Sequence, residues 1–201
     1  MSEITQIKSK NHTKTRTLCE CAIMLALSVA LSFFSISPGG FGGSITPASM
    51  LPVMVVGIRH GYKWGLGTSF VFSLFQLITG LSYFSYVKGF LPFAICLFFD
   101  FLVPFTLLGL TAMAVSRKKG STPKLNVPRV ISVSFMVMLL RFLCHFFSGV
   151  TIWREYAGEQ NPIIYSLVYN VVYMLPEMAI TLLVLGLMLI SKKIRALLIE
   201  F

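Results

Sequence analysis

Residues 163–191 read IIYSLVYNVVYMLPEMAITLLVLGLMLIS, an apolar run in which Glu177 is the single charged residue. A helix needs about 20 apolar residues to cross the hydrocarbon core of a bilayer. The run ends at the basic cluster Lys192, Lys193 and Arg195, and such clusters mark the cytoplasmic edge of a membrane helix. The segment therefore predicts a helix that spans a membrane.

The rest of the chain repeats this pattern. Five more apolar runs lie before this one in the chain, at about 17–36, 45–58, 64–80, 89–116 and 128–149. The 201 residues are 56% hydrophobic and 12% charged, with a mean hydropathy of +0.81, whereas a soluble domain carries about 25% charged residues. We therefore predict an all-α integral membrane protein, a six-transmembrane-helix bundle. The second run is short, so an interfacial or re-entrant position stays open for it.

Basic residues are concentrated beside and between these runs. Six spans place four clusters on one side: the N-terminal arm, the 59–63 turn, the 117–129 linker and the 192–195 tail. The opposite loops hold the basic residues Lys88 and Arg154, so the positive-inside rule predicts a multi-pass cell-membrane protein with both termini cytoplasmic. The expected parts are a cytoplasmic basic arm (1–16), a six-helix membrane domain (17–195) and a cytoplasmic tail (196–201). The net charge of +10 then indicates anionic membrane lipid as a partner, and no nucleic acid.

One carboxylate lies deep in the fourth run. Asp100 is about 11 residues from the start of that run, roughly 16 Å along a helix and therefore near mid-membrane. An unpaired charge there costs at least about 2.5–3.5 kcal/mol. A structural cation such as Arg141, a proton or a cationic ligand is expected to offset this cost.

The fifth run places three notable residues on one helix face. Arg141, His145 and Gly149 follow one another at four-residue spacing, and Trp153 comes just past the outer end of the run. A histidine alone in an apolar helix is usually a packing residue. Here the shared face leads towards an aromatic ring, so packing and cavity lining both stay open.

The sixth run opens with a stripe of tyrosines at four-residue spacing: Tyr165, Tyr169 and Tyr173. Such a stripe is typical of the aromatic belt at a membrane interface, but Asn170 lies too deep for that explanation. Glu177 lies near mid-membrane beside Pro176. We favour a structural pair between Glu177 and Arg141 over a role for Glu177 in ligand binding.

Aromatic rings, hydrogen-bonding groups and one buried carboxylate together suit a flat heteroaromatic cation, because stacking and cation–π contacts hold the ring and the carboxylate balances its charge. The sequence contains no nucleotide-binding loop and no catalytic signature, so we expect no catalytic residue, cofactor or metal. The four cysteines are expected to be packing residues. The glycine content of loop 36–47 suggests a lid.

Small residues form a separate stripe on the first run. Ala22, Ala26 and Ala30 recur every four residues, a pattern that allows another helix to approach closely. The approaching helix belongs either to the same chain or to a partner membrane subunit.

Several of these segments together resemble a known family. They are the alanine stripe, Gly43-Ser44-Ile45 leading into Met50-Leu51-Pro52-Val53, the turn Arg59-His60-Gly61, and the segments 141–153 and 165–177. The chain resembles the thiamine-specific substrate-binding (S) components of energy-coupling factor transporters, the ThiT type. The resemblance extends over about 17–190 and is most specific in 141–177.

The resemblance implies a six-helix bundle with a binding site near the extracytoplasmic side. It also implies docking through the alanine stripe onto a transmembrane coupling subunit that carries two ATPases. Five residues match the family's binding positions: His145, Gly149, Trp153, Tyr165 and Asn170. Trp153 is expected to stack on the ligand, while His145, Tyr165 and Asn170 are expected to hydrogen-bond its polar edge.

Three positions depart from the family pattern. Asp100 stands where the family usually has Glu, Phe101 where it usually has Tyr, and Phe41 in a loop where it tends to have Trp. The carboxylate is one methylene shorter, one hydroxyl is missing, and Phe stacks less strongly on a cation than Trp does. Thiamine is the first expectation; weaker binding or a related ligand, such as a thiamine precursor, is the second.

Two other classes of function stay open. A proton-coupled secondary transporter of a small organic cation would use Asp100, His145 and Glu177 as a relay. A membrane-embedded enzyme would use Asp100 and His145 as acid and base, although the sequence offers them no nucleophile or metal-ligand set.

Overall fold

The structure, a computed structural model, describes residues 3–37, 43–117 and 124–199. Within these ranges the chain is mostly helical. The helices are α1 (Glu3–Ser32), α2 (Leu51–His60), α3 (Tyr62–Thr79), α4 (Phe90–Ala114), α5 (Val127–Thr151), α6 (Pro162–Ile190) and α7 (Lys192–Leu197). Short 3₁₀ turns, Leu81–Tyr86 and Arg154–Ala157, lie between α3 and α4 and between α5 and α6. An antiparallel strand pair, β1 (Val115–Ser116) and β2 (Lys124–Leu125), lies between α4 and α5.

Local sequence determines where the later helices begin. The Asn126 side chain accepts a hydrogen bond from the backbone N–H of Arg129, and the Asn161 side chain accepts one from Ile163. Each cap is followed within two residues by a proline, which has the backbone angle and the missing N–H that suit a helix start. α5 and α6 therefore start at the positions that their own sequences specify.

Within the described residues, four helical segments are long and apolar enough to cross a membrane: Lys14–Ser32 of α1, and α4, α5 and α6. Their surfaces carry large apolar side chains such as Ile23, Phe90 and Ile190, which are 65%, 87% and 73% exposed. A soluble monomer rarely exposes so much contiguous apolar surface. The prediction of a helical, multi-pass integral membrane protein is confirmed.

The ends of two predicted segments differ from the sequence-based expectation. α1 begins at Glu3, so the helix continues through the basic arm. The second apolar run is predicted over 45–58, but α2 begins at Leu51 and is 10 residues long. The reason lies just before it, where Pro47 is followed by Ala48 with φ of 56°, a left-handed conformation that interrupts a helix.

Three glycines bring α2, α3 and α4 into close contact. A Cβ atom added to Gly65 would lie 2.7 Å from the Cα atom of Gly57, and one added to Gly109 would lie 2.5 Å from the backbone of Gly65. Side chains at these positions would push the helices apart. The glycines therefore allow the backbones of three helices to pack against each other below the cavity-forming residues.

This contact gives a stability prediction. Gly65→Val is expected to destabilise the fold by about 1–3 kcal/mol, because the added methyl groups overlap the α2 backbone. Thermal unfolding in detergent measures the effect. Gly67→Val is the matched control on the same helix, since a Cβ atom at Gly67 meets no atom within 4 Å. Equal melting temperatures for the two variants would contradict the prediction.

A single carboxylate connects α1 to the end of α2. Glu20 lies 3.0 Å from Arg16 Nε, 2.8 Å from Arg59 Nε and 2.9 Å from His60 Nε2. On its inner side α1 also buries Cys21 and Ser28. These contacts fix the rotation of α1 and leave its alanine stripe facing outward.

Candidate functional site

A cavity of about 730 Å³ lies among α1, α3, α4, α5, α6 and their connecting loops. Cavities of about 300–1,000 Å³ hold small organic ligands. Seven of the predicted site residues line it: Asp100, Phe101, His145, Gly149, Trp153, Tyr165 and Asn170. The eighth, Phe41, lies outside the residues that the structure describes. Residues that are 70 positions apart in the sequence therefore share one cavity.

Asp100 is the acidic centre of the cavity. It lies in Cys96–Leu102, a π-helical part of α4, and such irregular turns are frequent at functional sites. Its Oδ2 atom accepts hydrogen bonds from Ser148 Oγ (2.7 Å) and Trp153 Nε1 (2.9 Å), and its Oδ1 atom lies 3.4 Å from His145 Nδ1. The sequence left three ways to offset the charge of Asp100: Arg141, a proton or a cationic ligand. Asp100 does not pair with Arg141 in the structure.

Arg141 pairs with Glu177 instead. Arg141 Nη1 donates to Glu177 Oε2 at 2.7 Å, and both side chains are buried. The other carboxylate oxygen, Oε1, accepts from the Thr46 hydroxyl and from the Thr46 backbone N–H at 3.4 Å. The predicted contact between Glu177 and Arg141 is therefore present, and it also fixes the segment that precedes α2.

An aromatic wall surrounds the acidic centre. Trp153 lies edge-on to Tyr83, with ring centroids 6.4 Å apart, and 5.8 Å from Tyr156. Tyr83 also lies 6.4 Å from Phe101. Burial, followed by the negative charge of Asp100, raises the pKa of the Tyr83 hydroxyl, so Tyr83 stays protonated and keeps its O–H. The wall therefore combines ring faces with a hydroxyl near the carboxylate.

The cavity-facing side of α6 is a hydrogen-bonded row. Asn170 Nδ2 donates to the Ser166 carbonyl (2.8 Å), and the Tyr173 hydroxyl donates to Asn170 Oδ1 (2.8 Å). Asn170 is thus held by its own helix, which explains how an amide is tolerated at this depth. The tyrosines of the stripe line the cavity rather than forming only an interfacial belt: Tyr165, Tyr169 and Tyr173.

Gly149 marks the closest approach of α5 to α6. A Cβ atom added there would lie 2.2 Å from Ser166 Oγ. Ser166 in turn donates to the carbonyl of Phe146 on α5 at 2.9 Å. The missing side chain therefore lets the two helices meet at the cavity wall, and Gly149 shapes the cavity through this contact.

Several residues that line the cavity are not among those predicted from the sequence: Ser32, Thr46, Gln76, Tyr83, Tyr86 and Tyr156. Gln76 was detectable, because it is an amide inside an apolar run, as Asn170 is. Its side chain donates to Ser32 Oγ on α1 at 3.3 Å. The tyrosines lie in loops, whose position relative to the helices cannot be inferred from spacing.

The alanine stripe lies away from the cavity. Ala22, Ala26 and Ala30 are all exposed on the outer face of α1. One of the two expected explanations of the stripe is packing against another helix of the same chain. No helix covers these alanines in the part of the chain that the structure describes.

Comparison with known proteins identifies the relatives of this chain. Residues 18–197 match the family described as Thiamine transporter protein (Thia_YuaJ). The chain is 32% identical over 188 residues to the thiamine transporter ThiT of Bacillus subtilis (strain 168), a match that covers 87% of this chain and 90% of that protein. Its fold is similar to a solved structure of ThiT from Listeria monocytogenes, with a TM-score of 0.65 at 19% identity, covering 91% of this chain and 98% of the other. The chain therefore belongs to the thiamine transporter protein (Thia_YuaJ) family.

Proposed function

We propose that this protein binds thiamine in the cavity around Asp100 and delivers it for uptake into the cell. The observation that carries the proposal is a carboxylate inside an aromatic-walled cavity of about 730 Å³. Thiamine is a flat heteroaromatic cation, and such a ligand is held by stacking, cation–π contacts and a counter-charge. The thiamine transport named for its relatives supports the same ligand.

In this proposal Asp100 is the counter-charge. Ser148 and Trp153 both donate to its Oδ2 atom, so the carboxylate is ordered and its other oxygen faces the ligand together with His145. Trp153 supplies a ring face whose orientation is set by its hydrogen bond to Asp100. Tyr165, Asn170 and Gly149 form the opposite wall, Phe101 packs behind Tyr83, and Phe41 is proposed to contact the ligand from the first outer loop.

We further propose that the protein is the substrate-binding component of an energy-coupling factor importer. The four long apolar helices, together with the shorter α2 and α3, are consistent with the six helices of such a component, and the basic clusters support cytoplasmic termini. The exposed Ala22/Ala26/Ala30 stripe on α1 would dock onto a transmembrane coupling subunit that carries two ATPases. The chain itself would bind ligand without hydrolysing ATP.

Thiamine binding to the purified chain in detergent tests the ligand. The chain has two tryptophans, Trp64 and Trp153, so a Trp64→Phe background makes Trp153 the single indole fluorophore. Thiamine is expected to quench this fluorescence saturably at or below about 1 µM, as a stacked aromatic site allows. If thiamine at that concentration neither quenches the fluorescence nor gives a binding heat in calorimetry, thiamine is not the ligand. A thiamine precursor would then be tested.

A proton-coupled transporter is the second candidate, and the 3.4 Å contact between His145 and Asp100 favours it. The third group of the suggested relay, Glu177, is held by Arg141 and Thr46, which opposes proton exchange through it. Proteoliposomes that contain this chain alone distinguish the two candidates. The binding component accumulates no thiamine there, whereas a secondary transporter accumulates it until an uncoupler is added.

A further inference from the structure

Two charged groups of opposite sign, the buried Arg141 and the partly buried Asp100, line the same cavity without pairing with each other. Asp100 is contacted by Ser148, Trp153 and His145, whereas Arg141 is contacted by Glu177. Opposite charges attract strongly where water is scarce. Their separation therefore requires a cause in the structure.

His145 lies beside both Arg141 and Asp100. It lies one helical turn from Arg141 on α5, and its Nδ1 atom is 3.4 Å from Asp100. The Arg141 guanidinium lies 4.8 Å from the ring centre of Phe105, which also lines the cavity and lies 6.3 Å from the His145 ring. Arg141 and Asp100 are therefore both neighbours of His145 within one cavity.

Glu177 is what holds the arginine away. Its side chain is 1% exposed and binds Arg141 Nη1 at 2.7 Å. Thr46 fixes the other oxygen of the same carboxylate with its hydroxyl and its backbone N–H. The Nε atom of Arg141 is buried and makes no hydrogen bond within the described residues, so the contact with Glu177 is the main polar contact of the guanidinium.

We propose that Glu177 is a positioning residue that sequesters the positive charge of Arg141, so that Asp100 stays available to a cationic ligand. The inference rests on the proposed function, in which that ligand is thiamine. Without the Glu177 charge, the buried guanidinium pairs with Asp100, which lines the same cavity, because an uncompensated buried charge is costly. It then competes with the ligand for Asp100 and repels it.

The proposal predicts a charge asymmetry. Glu177→Gln and Arg141→Gln both remove the same ion pair, but they leave opposite charges behind. Glu177→Gln leaves the positive charge of Arg141 uncompensated, which weakens binding of a cation. Arg141→Gln removes that positive charge and therefore does not weaken binding. A purely structural ion pair predicts that both variants lose affinity alike.

Calorimetry in detergent with two probes tests the asymmetry: thiamine, and a neutral thiamine analogue in which a thiophene ring replaces the thiazolium. Glu177→Gln is expected to weaken thiamine binding at least about tenfold, because the released guanidinium competes for Asp100 and repels the cation. The neutral analogue is expected to change less than about twofold, by the same Coulomb argument. Arg141→Gln is expected to keep or raise the affinity for thiamine. Equal losses in both single variants, or an equal loss for both probes, would overturn the proposal.

The double variant Arg141→Gln/Glu177→Gln keeps the test decisive if Glu177→Gln fails to fold, as judged by size-exclusion chromatography. With both charges gone, thiamine affinity is expected within about twofold of the unmodified protein, because no charge is left to compete. A tenfold loss in a folded double variant would overturn the proposal. The unmodified protein separates the two hypotheses. If it does not bind thiamine, the proposed function is rejected. If it binds thiamine but Glu177→Gln and Arg141→Gln lose affinity equally, only the role of Glu177 is rejected.

Discussion

Asp100→Asn is expected to abolish thiamine binding at micromolar concentration, with a loss in affinity of at least about 30-fold. The physical reason is that truncating the charge of a buried, hydrogen-bonded partner costs about 2–5 kcal/mol, and about 1.4 kcal/mol is a factor of ten. Asparagine has nearly the same shape, so its oxygen still accepts from Ser148 and Trp153. The loss therefore reports charge rather than collapse of the wall.

The measurement is calorimetric titration of thiamine into the purified Asp100→Asn variant. Ser148→Ala is the matched control, since it removes a hydrogen bond to the same Oδ2 atom but keeps the carboxylate. We expect the control to lose less affinity than Asp100→Asn does, because the negative charge stays and Trp153 still donates to the same oxygen. If Asp100→Asn binds thiamine as well as the control does, Asp100 is not the counter-charge.

Ala26→Trp is expected to reduce thiamine uptake at least about tenfold while leaving binding by the purified chain unchanged. Ala26 is exposed in the middle of the alanine stripe on α1 and lies away from the cavity. A bulky side chain there prevents the close backbone approach that small-residue stripes allow. Because Ala26 is exposed, a larger side chain there is not expected to disturb packing among the residues that the structure describes.

Uptake of labelled thiamine is measured in cells that supply the proposed coupling subunit and ATPases, and binding is measured in detergent. Ala179→Trp is the control, because Ala179 is an exposed alanine on α6 outside the stripe. It is expected to leave both measurements unchanged. Normal uptake by Ala26→Trp would mean that partner docking does not use this face, and the partner would then be sought on another surface.

The membrane-spanning character of the protein was predictable because it depends on local composition. The runs at 128–149 and 163–191 correspond to α5 and α6 within two residues at each end, since apolar runs, asparagine caps and prolines act within a few positions. The second run was placed less well. Its helix starts only at Leu51 because Ala48 adopts a left-handed conformation that interrupts a helix. Thr46, just before it, binds Glu177, which is 131 positions away, and no local pattern contains that contact.

The cavity was predictable in part, for a related reason. Deep polar residues are few in a membrane helix, so Asp100, His145 and Asn170 were identifiable from their depth alone. Tyr83 and Tyr156 were missed because they lie in 3₁₀ turns. A turn carries no periodicity that would indicate which ring faces the cavity.

Local composition is sufficient to predict that this chain crosses a membrane and that a few charged groups lie within its apolar runs. It favours Glu177 as the partner of Arg141 but leaves Asp100 open as another, and the tertiary structure resolves this choice. Arg141 pairs with Glu177, while Asp100 is contacted by Ser148, Trp153 and His145. The physical reason is that burial follows from the apolar residues that surround a charge along the chain. Pairing follows from the rotation and contact of helices that are distant in sequence.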